Sequence, residues 1–357
     1  MEQKPSSREP SSASAVPKII IGCGIVGVAV VAVCGIALFF LVTMFVSKSR
    51  DMARRMECNN NLQQLGIGLH NFHDTRRGLP PLVSGPERTS VFVHLLPYCE
   101  QAPYFDDLDR RDGPQGDLSD TYLGDAMLDN WNKLNDLKKD ALGSIPYHTC
   151  PARRTGVQRS QSSGMPGPVL DYGVVMMTKS AQPGDWVDYW DPCQPKHWEL
   201  IASLLRVGEV AGCPAPDNEA YRRVTSRDTL ARAIDGTSNT FVFAEKHVRV
   251  GEFGRCCGDT YSAGADGGGL FAADKGRQYS IARSAFYPLT RAPTDFDGKK
   301  GRSDGGPLND FGFGSDHADV VLFGVADGSV RAISRDVDVE MLRGASNVED
   351  GKFLEYD

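Results

Sequence analysis

His70 and His73 stand three residues apart in the stretch CNNNLQQLGIGLHNFHD (58–74), and Asp74 follows directly. Spacings of three and four bring side chains together on one face of a helix. Imidazole and carboxylate so arranged can ligate a divalent metal. A closed structural zinc site needs about four ligands, however, and this segment supplies at most three. The expectation is therefore that His73 is a partly buried packing residue. His70 and Asp74, four apart and able to pair, should lie on a flank turned toward solvent or a groove.

A second constellation is Asp235, Thr237, Ser238 and Asn239, four side-chain oxygens within five residues around the turn dipeptide Asp235–Gly236. Oxygen ligands suit calcium, but the spacing and closing glutamate of an EF-hand are absent. A local side-chain-to-backbone network that ties the turn is the expected role. No cofactor is expected. Calcium is the ion such an oxygen-rich turn would suit, with Asp235, Asn239 and His317 as weak metal candidates. His317 precedes Asp327–Gly328 by ten positions, a span of ~33 Å along an extended strand. The two cannot form one site within a single hairpin, so His317 is expected to anchor the loop that feeds the first strand. The chain has no P-loop, G-x-S-x-G, H-E-x-x-H or strand-bound G-x-G-x-x-G. No catalytic residue is assigned, and a non-enzymatic protein is expected.

These residues must be positioned by the elements around them. Residues 19–46 carry no charge over 28 positions, enough helix at ~1.5 Å per residue to cross a ~30 Å hydrocarbon core. The run exceeds the ~7–15 residues of a signal-peptide core and continues into helix-favouring sequence. It reads as a retained single-pass anchor within 18–47, after a Ser/Pro-rich, disordered tail at 1–17. Leu62, Leu65, Leu69 and Phe72 repeat in steps of three and four, and Cys58 falls in the middle of that stripe. The membrane helix should thus continue as an amphipathic stem to near Thr75, where Gly78 and Pro80 end it.

The chain as a whole has 38 Gly and 21 Pro, and its body, 48–357, reads as loop-rich α+β. Strands are expected at DYGVVMM (171–177), TFVFAE (240–245), VVLFGVA (320–326) and SVRAIS (329–334), with a further strand at IPYHTC (145–150). Helices are expected at 226–233 and 337–344, with one or two surface helices over 117–142. Asp327–Gly328 should form a two-residue hairpin turn that pairs Val325 with Val330, Phe323 with Ala332 and Leu322 with Ile333, both faces covered. Insertions are expected at about 106–145 and 181–220. The second holds Trp186, Tyr189, Trp190 and Trp198, with Cys193 and Cys213 as a possible staple.

The net charge of −7 with no basic stripe gives no footprint for nucleic acid. The lipid bilayer is the expected partner. Flanking charge (Lys4, Arg8 and Lys18 against Lys48, Arg50, Arg54 and Arg55) leans slightly toward a cytoplasmic body. Seven of the nine cysteines lie in the body (Cys58, Cys99, Cys150, Cys193, Cys213, Cys256, Cys257) without a CxxC pattern, which favours disulfides in an exported domain. Long domains also translocate largely regardless of flanking charge. The expected placement is the bacterial cytoplasmic membrane, N-terminus inside and body outside.

Several segments occur together and in order: ARRMECNNNLQQLGIGLHNFHD (53–74), LLPYCEQAPYF (95–105), Cys150–Pro151, IDGTSNTFVFAE (234–245), and the H-x9-DG arrangement from His317 to Gly328. This combination resembles the bacterial prepilin-like proteins of "domain of unknown function 1559", also described as G-type secretion pseudopilin-like. The resemblance implies a pilin-like fold, a long N-terminal helix packed on an antiparallel sheet. It implies no enzymatic activity. It marks as structural-motif residues His317, Asp327, Gly328, Asp235, Gly236, Asn239, Glu245, His70 and His73. The sequence departs from prepilins after Lys18, where IIIGCGIVG lacks the Phe-Thr-Leu-Ile-Glu start, so a permanent anchor rather than a cleaved filament subunit is expected. A disulfide between Cys58 and Cys150 is expected to tie helix to body. The resulting reading is a membrane-anchored pseudopilin-like structural or interaction protein, with other pseudopilin-like or envelope proteins as partners. The alternative is a surface module binding glycan or calcium on the same scaffold.

Overall fold

A computed structural model describes residues 15–85, 88–109, 125–161, 165–179, 200–210, 224–248, 253–256, 266–272, 280–290 and 312–351. The chain divides into two compact units, Met1–Ala53 and Arg54–Asp357. Helix α1 covers Ala15–Arg76. In the first unit its apolar side chains lie open: Val30, Val31, Phe39, Phe40 and Phe45 are all more than half exposed. This helix is long and apolar enough to cross a membrane.

In the second unit the same helix shows the expected stripe. Cys58, Leu62, Leu65, Leu69 and Phe72 are at most 1% exposed, while Ile67 on the opposite side is 56% exposed. The helix stops where Arg77 takes a left-handed conformation (φ 60°), its N–H donating to the His73 carbonyl at 2.7 Å. Gly78 then passes so close to Ser226 that a Cβ would stand 2.5 Å from the serine Cβ.

The body is built on a five-stranded sheet of β1 (Tyr172–Met176), β4 (Phe241–Glu245), β5 (Ala282–Ser284), β6 (Val320–Val325) and β7 (Val330–Ser334), in the order β5-β1-β4-β6-β7. A small antiparallel pair joins β2 (Glu209–Val210) to β3 (Val224–Thr225). The architecture is α+β. The large sheet is mixed rather than wholly antiparallel, because β5 runs parallel to β1 at its edge. A short edge strand far from β1 in sequence can add in either direction, since no tight hairpin joins the two.

Side chains alternate across the strands. Tyr172, Val174, Phe243 and Leu322 join the core that contains Leu62 and Leu65 of α1. Val175, Phe241, Ala244, Val321, Phe323 and Val325 join a second core with Leu342 and Ala345 of the C-terminal helix α6 (Val339–Ser346). Both faces of β6 are therefore covered, whereas the expected cover is incomplete over β7, where Ile333 is buried but Ala332 and Ser334 are exposed. Burying a large apolar side chain contributes roughly 1.5–3 kcal/mol, so the two layers hold the sheet in place.

The hairpin differs from expectation by one residue. Gly324 pairs with Val330, Phe323 with Arg331 and Leu322 with Ala332. The Val325 N–H donates to the Ser329 carbonyl at 2.8 Å, which leaves a three-residue loop of Ala326, Asp327 and Gly328. Gly328 takes the left-handed position (φ 86°) that such loops require. Asp327 Oδ1 accepts from the Ser329 N–H at 2.9 Å, which tightens the longer loop.

Other elements differ as well. Residues 145–150 form a 3-10 turn over Pro146–His148 instead of a strand, with proline opening the turn. The helix expected at 226–233 is a 3-10 turn at Leu230–Arg232. Helices α2 (Val91–Leu95) and α3 (Ala102–Leu108) flank the turn at Pro97. Helices α4 (Asp125–Lys133) and α5 (Asp136–Gly143) lie in the described part of the 117–142 region, and α4 is an amphipathic surface helix: Met127 and Trp131 are 3% exposed and join the core, while Asp129, Asn132 and Lys133 are exposed. Most of 181–220, with its tryptophans, Cys193 and Cys213, lies outside the described residues. The described part, 200–210, sends Ile201, Leu204, Leu205 and Val207 into the core, so it is integral to the body.

Candidate functional site

Four side chains from four separate elements meet beneath the stem. Cys58 comes from α1 and Cys150 from the turn after Pro146–His148. Glu245 ends β4, and His317 sits in the loop before β6. Cys58 and Cys150 are disulfide-bonded, with Cα atoms 5.5 Å apart. Cys150 Sγ lies 3.5 Å from Glu245 Oε1 and 3.7 Å from His317 Nε2. His317 Nε2 is 3.2 Å from Glu245 Oε1. All four are buried, and among the described residues this is the group of Cys, His and acidic side chains close enough to hold a metal ion.

Each member is fixed from behind. Glu245 stands in the middle of the sheet opposite Tyr172, and its Oε2 accepts from the Leu322 N–H at 2.9 Å. The His317 N–H donates to Ser315 Oγ at 3.1 Å. Asn61, one turn beyond Cys58 on α1, donates from Nδ2 to the Pro146 and Thr149 carbonyls at 2.9 and 3.2 Å. It thereby holds the turn that presents Cys150.

Asp171 anchors the other side. Its Oδ2 accepts from the Cys150 N–H at 2.7 Å, and its Oδ1 accepts from Arg153 Nη1 at 2.9 Å. Arg154 bridges Asp171 and Asp266, reaching Asp266 Oδ2 at 2.9 Å. Arg153 Nη2 also donates to the Gly314 carbonyl at 3.0 Å, which draws the His317 loop toward the same centre. Burial alone would raise the Asp171 carboxyl pKa. Arg154 and Arg153 outweigh it, and the Cys150 N–H adds to them, so the carboxyl is held below its ordinary value. Asp316 shows the opposite balance: burial raises it more than Arg153 lowers it.

The other motif residues fall in two places. His70 is half-buried and does not pair with Asp74. It packs at the hairpin tip, where a Cβ on Gly328 would lie 3.8 Å from His70 Cδ2. Asp74 stands 3.5 Å from His73 Nδ1 instead, and His73 is half-buried as expected. His317 and Asp327–Gly328 thus mark opposite ends of β6, one against the cysteines and the other against α1.

The 235–239 turn is tied locally. Asn239 Nδ2 donates to the Asp235 carbonyl at 3.0 Å and Thr240 Oγ1 to the Gly236 carbonyl at 3.1 Å, across Gly236 at φ 90°. Burial, followed by the neighbouring Asp350, raises the Asp235 carboxyl pKa.

The charged network around Asp171 was not apparent from sequence. Arg153 and Arg154 follow Cys-Pro and Asp171 opens the expected strand DYGVVMM, with nothing local to bring them together. The legible signal was Asp171 abutting the apolar run YGVVMM, a carboxylate with no obvious route to water.

A family model described as "Protein of unknown function (DUF1559)" matches residues 47–340. The chain belongs to that family. The match begins at the start of the stem and ends within α6, so it takes in Cys58, Cys150, Glu245, His317 and the hairpin tip. No curated protein and no solved structure matches the chain.

Proposed function

We propose that this DUF1559 protein is a membrane-anchored, non-enzymatic structural or interaction protein of the bacterial envelope. Its apolar segment sits in the cytoplasmic membrane, its N-terminus is inside and its body outside. The observation that carries this reading is the contrast along α1. Apolar side chains from Val30 to Val46 are exposed, a surface suited to lipid, whereas the stripe from Cys58 to Phe72 is buried in the body. The Cys58–Cys150 disulfide favours an oxidising compartment. The pseudopilin-like part of the reading rests on the α1 stem packed on a sheet. The non-enzymatic part is supported by the polar cluster's burial, since its groups bond to one another and to backbone.

Protease added to intact spheroplasts tests the placement. Digestion of the body with survival of a short membrane-bound N-terminal fragment is expected. Protection of the body until the membrane is broken would reverse the orientation.

A further inference from the structure

The cluster around the Cys58–Cys150 disulfide has the donor set of a metal centre: two sulfurs, an imidazole nitrogen and a carboxylate oxygen, all within 4.8 Å of one another. Zinc bonds of ~2.0–2.3 Å in tetrahedral arrangement place neighbouring ligand atoms roughly 3.3–3.8 Å apart. Three edges already match: Cys150 Sγ to Glu245 Oε1 at 3.5 Å, Cys150 Sγ to His317 Nε2 at 3.7 Å, and Glu245 Oε1 to His317 Nε2 at 3.2 Å. The two sulfurs are too close, because they are bonded to each other, and Cys58 Sγ lies within 4.8 Å of the Glu245 and His317 ligand atoms. We propose that reduction of the Cys58–Cys150 disulfide opens a four-ligand site for Zn2+ made of Cys58, Cys150, Glu245 and His317.

The step balances with an external dithiol. Two electrons pass from the dithiol to the disulfide, the sulfur–sulfur bond breaks, two cysteine thiols form, and the reductant becomes a disulfide. On zinc binding the two thiols lose their protons to solvent and ligate as thiolates. His317 ligates as neutral imidazole and Glu245 as carboxylate. With Cα atoms 5.5 Å apart, side-chain rotation of the cysteines can separate the sulfurs to the ~3.8 Å that the tetrahedron needs. The set would carry a net charge of −1, with the Arg153 guanidinium, which also pairs with Asp171, within electrostatic reach of Glu245. The Leu322 N–H holds Oε2 of Glu245, leaving Oε1 aimed at the centre, the outer support that metal ligands need. The same four residues therefore fasten stem to body in either redox state, by a covalent bond or by a metal.

The test uses the full chain in detergent, oxidised and after anaerobic reduction, titrated with Zn2+ against a chromophoric chelator and separately with Co2+. Expected are one Zn2+ per reduced chain and none at this site in the oxidised chain, with the intense visible bands of tetrahedral thiolate-bound cobalt. Cys58→Ser should abolish those bands. Should that variant not fold, His317→Gln and Glu245→Gln on the native cysteines should each weaken Zn2+ at least tenfold. Cys99→Ser should leave binding unchanged. The proposal is overturned if reduction unfolds the chain by circular dichroism or leaves a folded chain without Zn2+. Equal binding in both redox states, or binding indifferent to His317→Gln and Glu245→Gln, would also overturn it.

Discussion

Gly66 on helix α1 and Gly328 at the tip of the β6–β7 hairpin meet backbone to backbone: a Cβ on Gly66 would stand 3.0 Å from Gly328 Cα. Glycine inside a helix costs about 1 kcal/mol relative to alanine, so Gly→Ala at an open helical position stabilises. Here the neighbour is backbone and cannot swing aside, and overpacking costs about 1–3 kcal/mol. Gly66→Ala is expected to destabilise the body by up to about 2 kcal/mol net, read from the shift in urea midpoint. A stabilised variant would mean that helix and hairpin tip do not touch.

The Cys58–Cys150 bridge closes a loop with a sequence separation of 92. Chain entropy gives a cross-link of that length roughly 4.6 kcal/mol, and measured values run about 2–5 kcal/mol. Cys58→Ser with Cys150→Ser should lower the thermal midpoint of the metal-free chain accordingly in calorimetry. An unchanged midpoint would remove the bridge as a stabilising element.

Asp171 is fully buried between Arg153 and Arg154. Removing one partner of such a set leaves uncompensated charge, at about 3–5 kcal/mol. Asp171→Asn keeps the shape and loses the charge, so a loss of that order is expected in denaturant titrations. The pH consequence has a definite sign. The folded carboxyl is held below its ordinary value, so its stabilisation is present above about pH 4 and is lost as pH falls below that, through the folded value.

Two buried histidines act at milder acidity. Burial, with Arg76 adding to it, lowers the His94 pKa to about 3, and burial lowers His148 to about 4 despite the Leu142 carbonyl that accepts from its Nδ1. Both stay neutral in the fold, whereas the unfolded chain takes up their protons near pH 6.5. Stability is therefore full above pH 6.5 and falls as pH drops toward 4, by up to about 1.4 kcal/mol per pH unit for each histidine. Urea midpoints at pH 7 and pH 5 should differ by about 2–4 kcal/mol, and His94→Gln should shrink that difference. A flat profile over this window would contradict the burial of both rings.

What the sequence made legible follows local periodicity. The stripe Cys58–Leu62–Leu65–Leu69–Phe72 marked the stem, and β-branched runs marked β1, β4, β6 and β7, because each pattern is fixed by neighbours along the chain. The hairpin register slipped by one because Asp-Gly suits both two- and three-residue loops, and only the Val325–Ser329 bond distinguishes them. His317 and Glu245 were visible as motif residues, but their meeting was not. They approach because β4 and β6 are sheet neighbours, a long-range pairing that no local pattern encodes. Arg153, Arg154 and Asp171 were missed for the same reason: each looks solvated alone and becomes a buried set only when the sheet closes over Cys150.

The central claim, that the chain is held in a membrane by α1, is tested most directly by extracting isolated membranes with high salt and then with alkaline carbonate. The account predicts that the full chain stays with the membrane through both washes and leaves only with detergent. Complete release by high salt alone would contradict it.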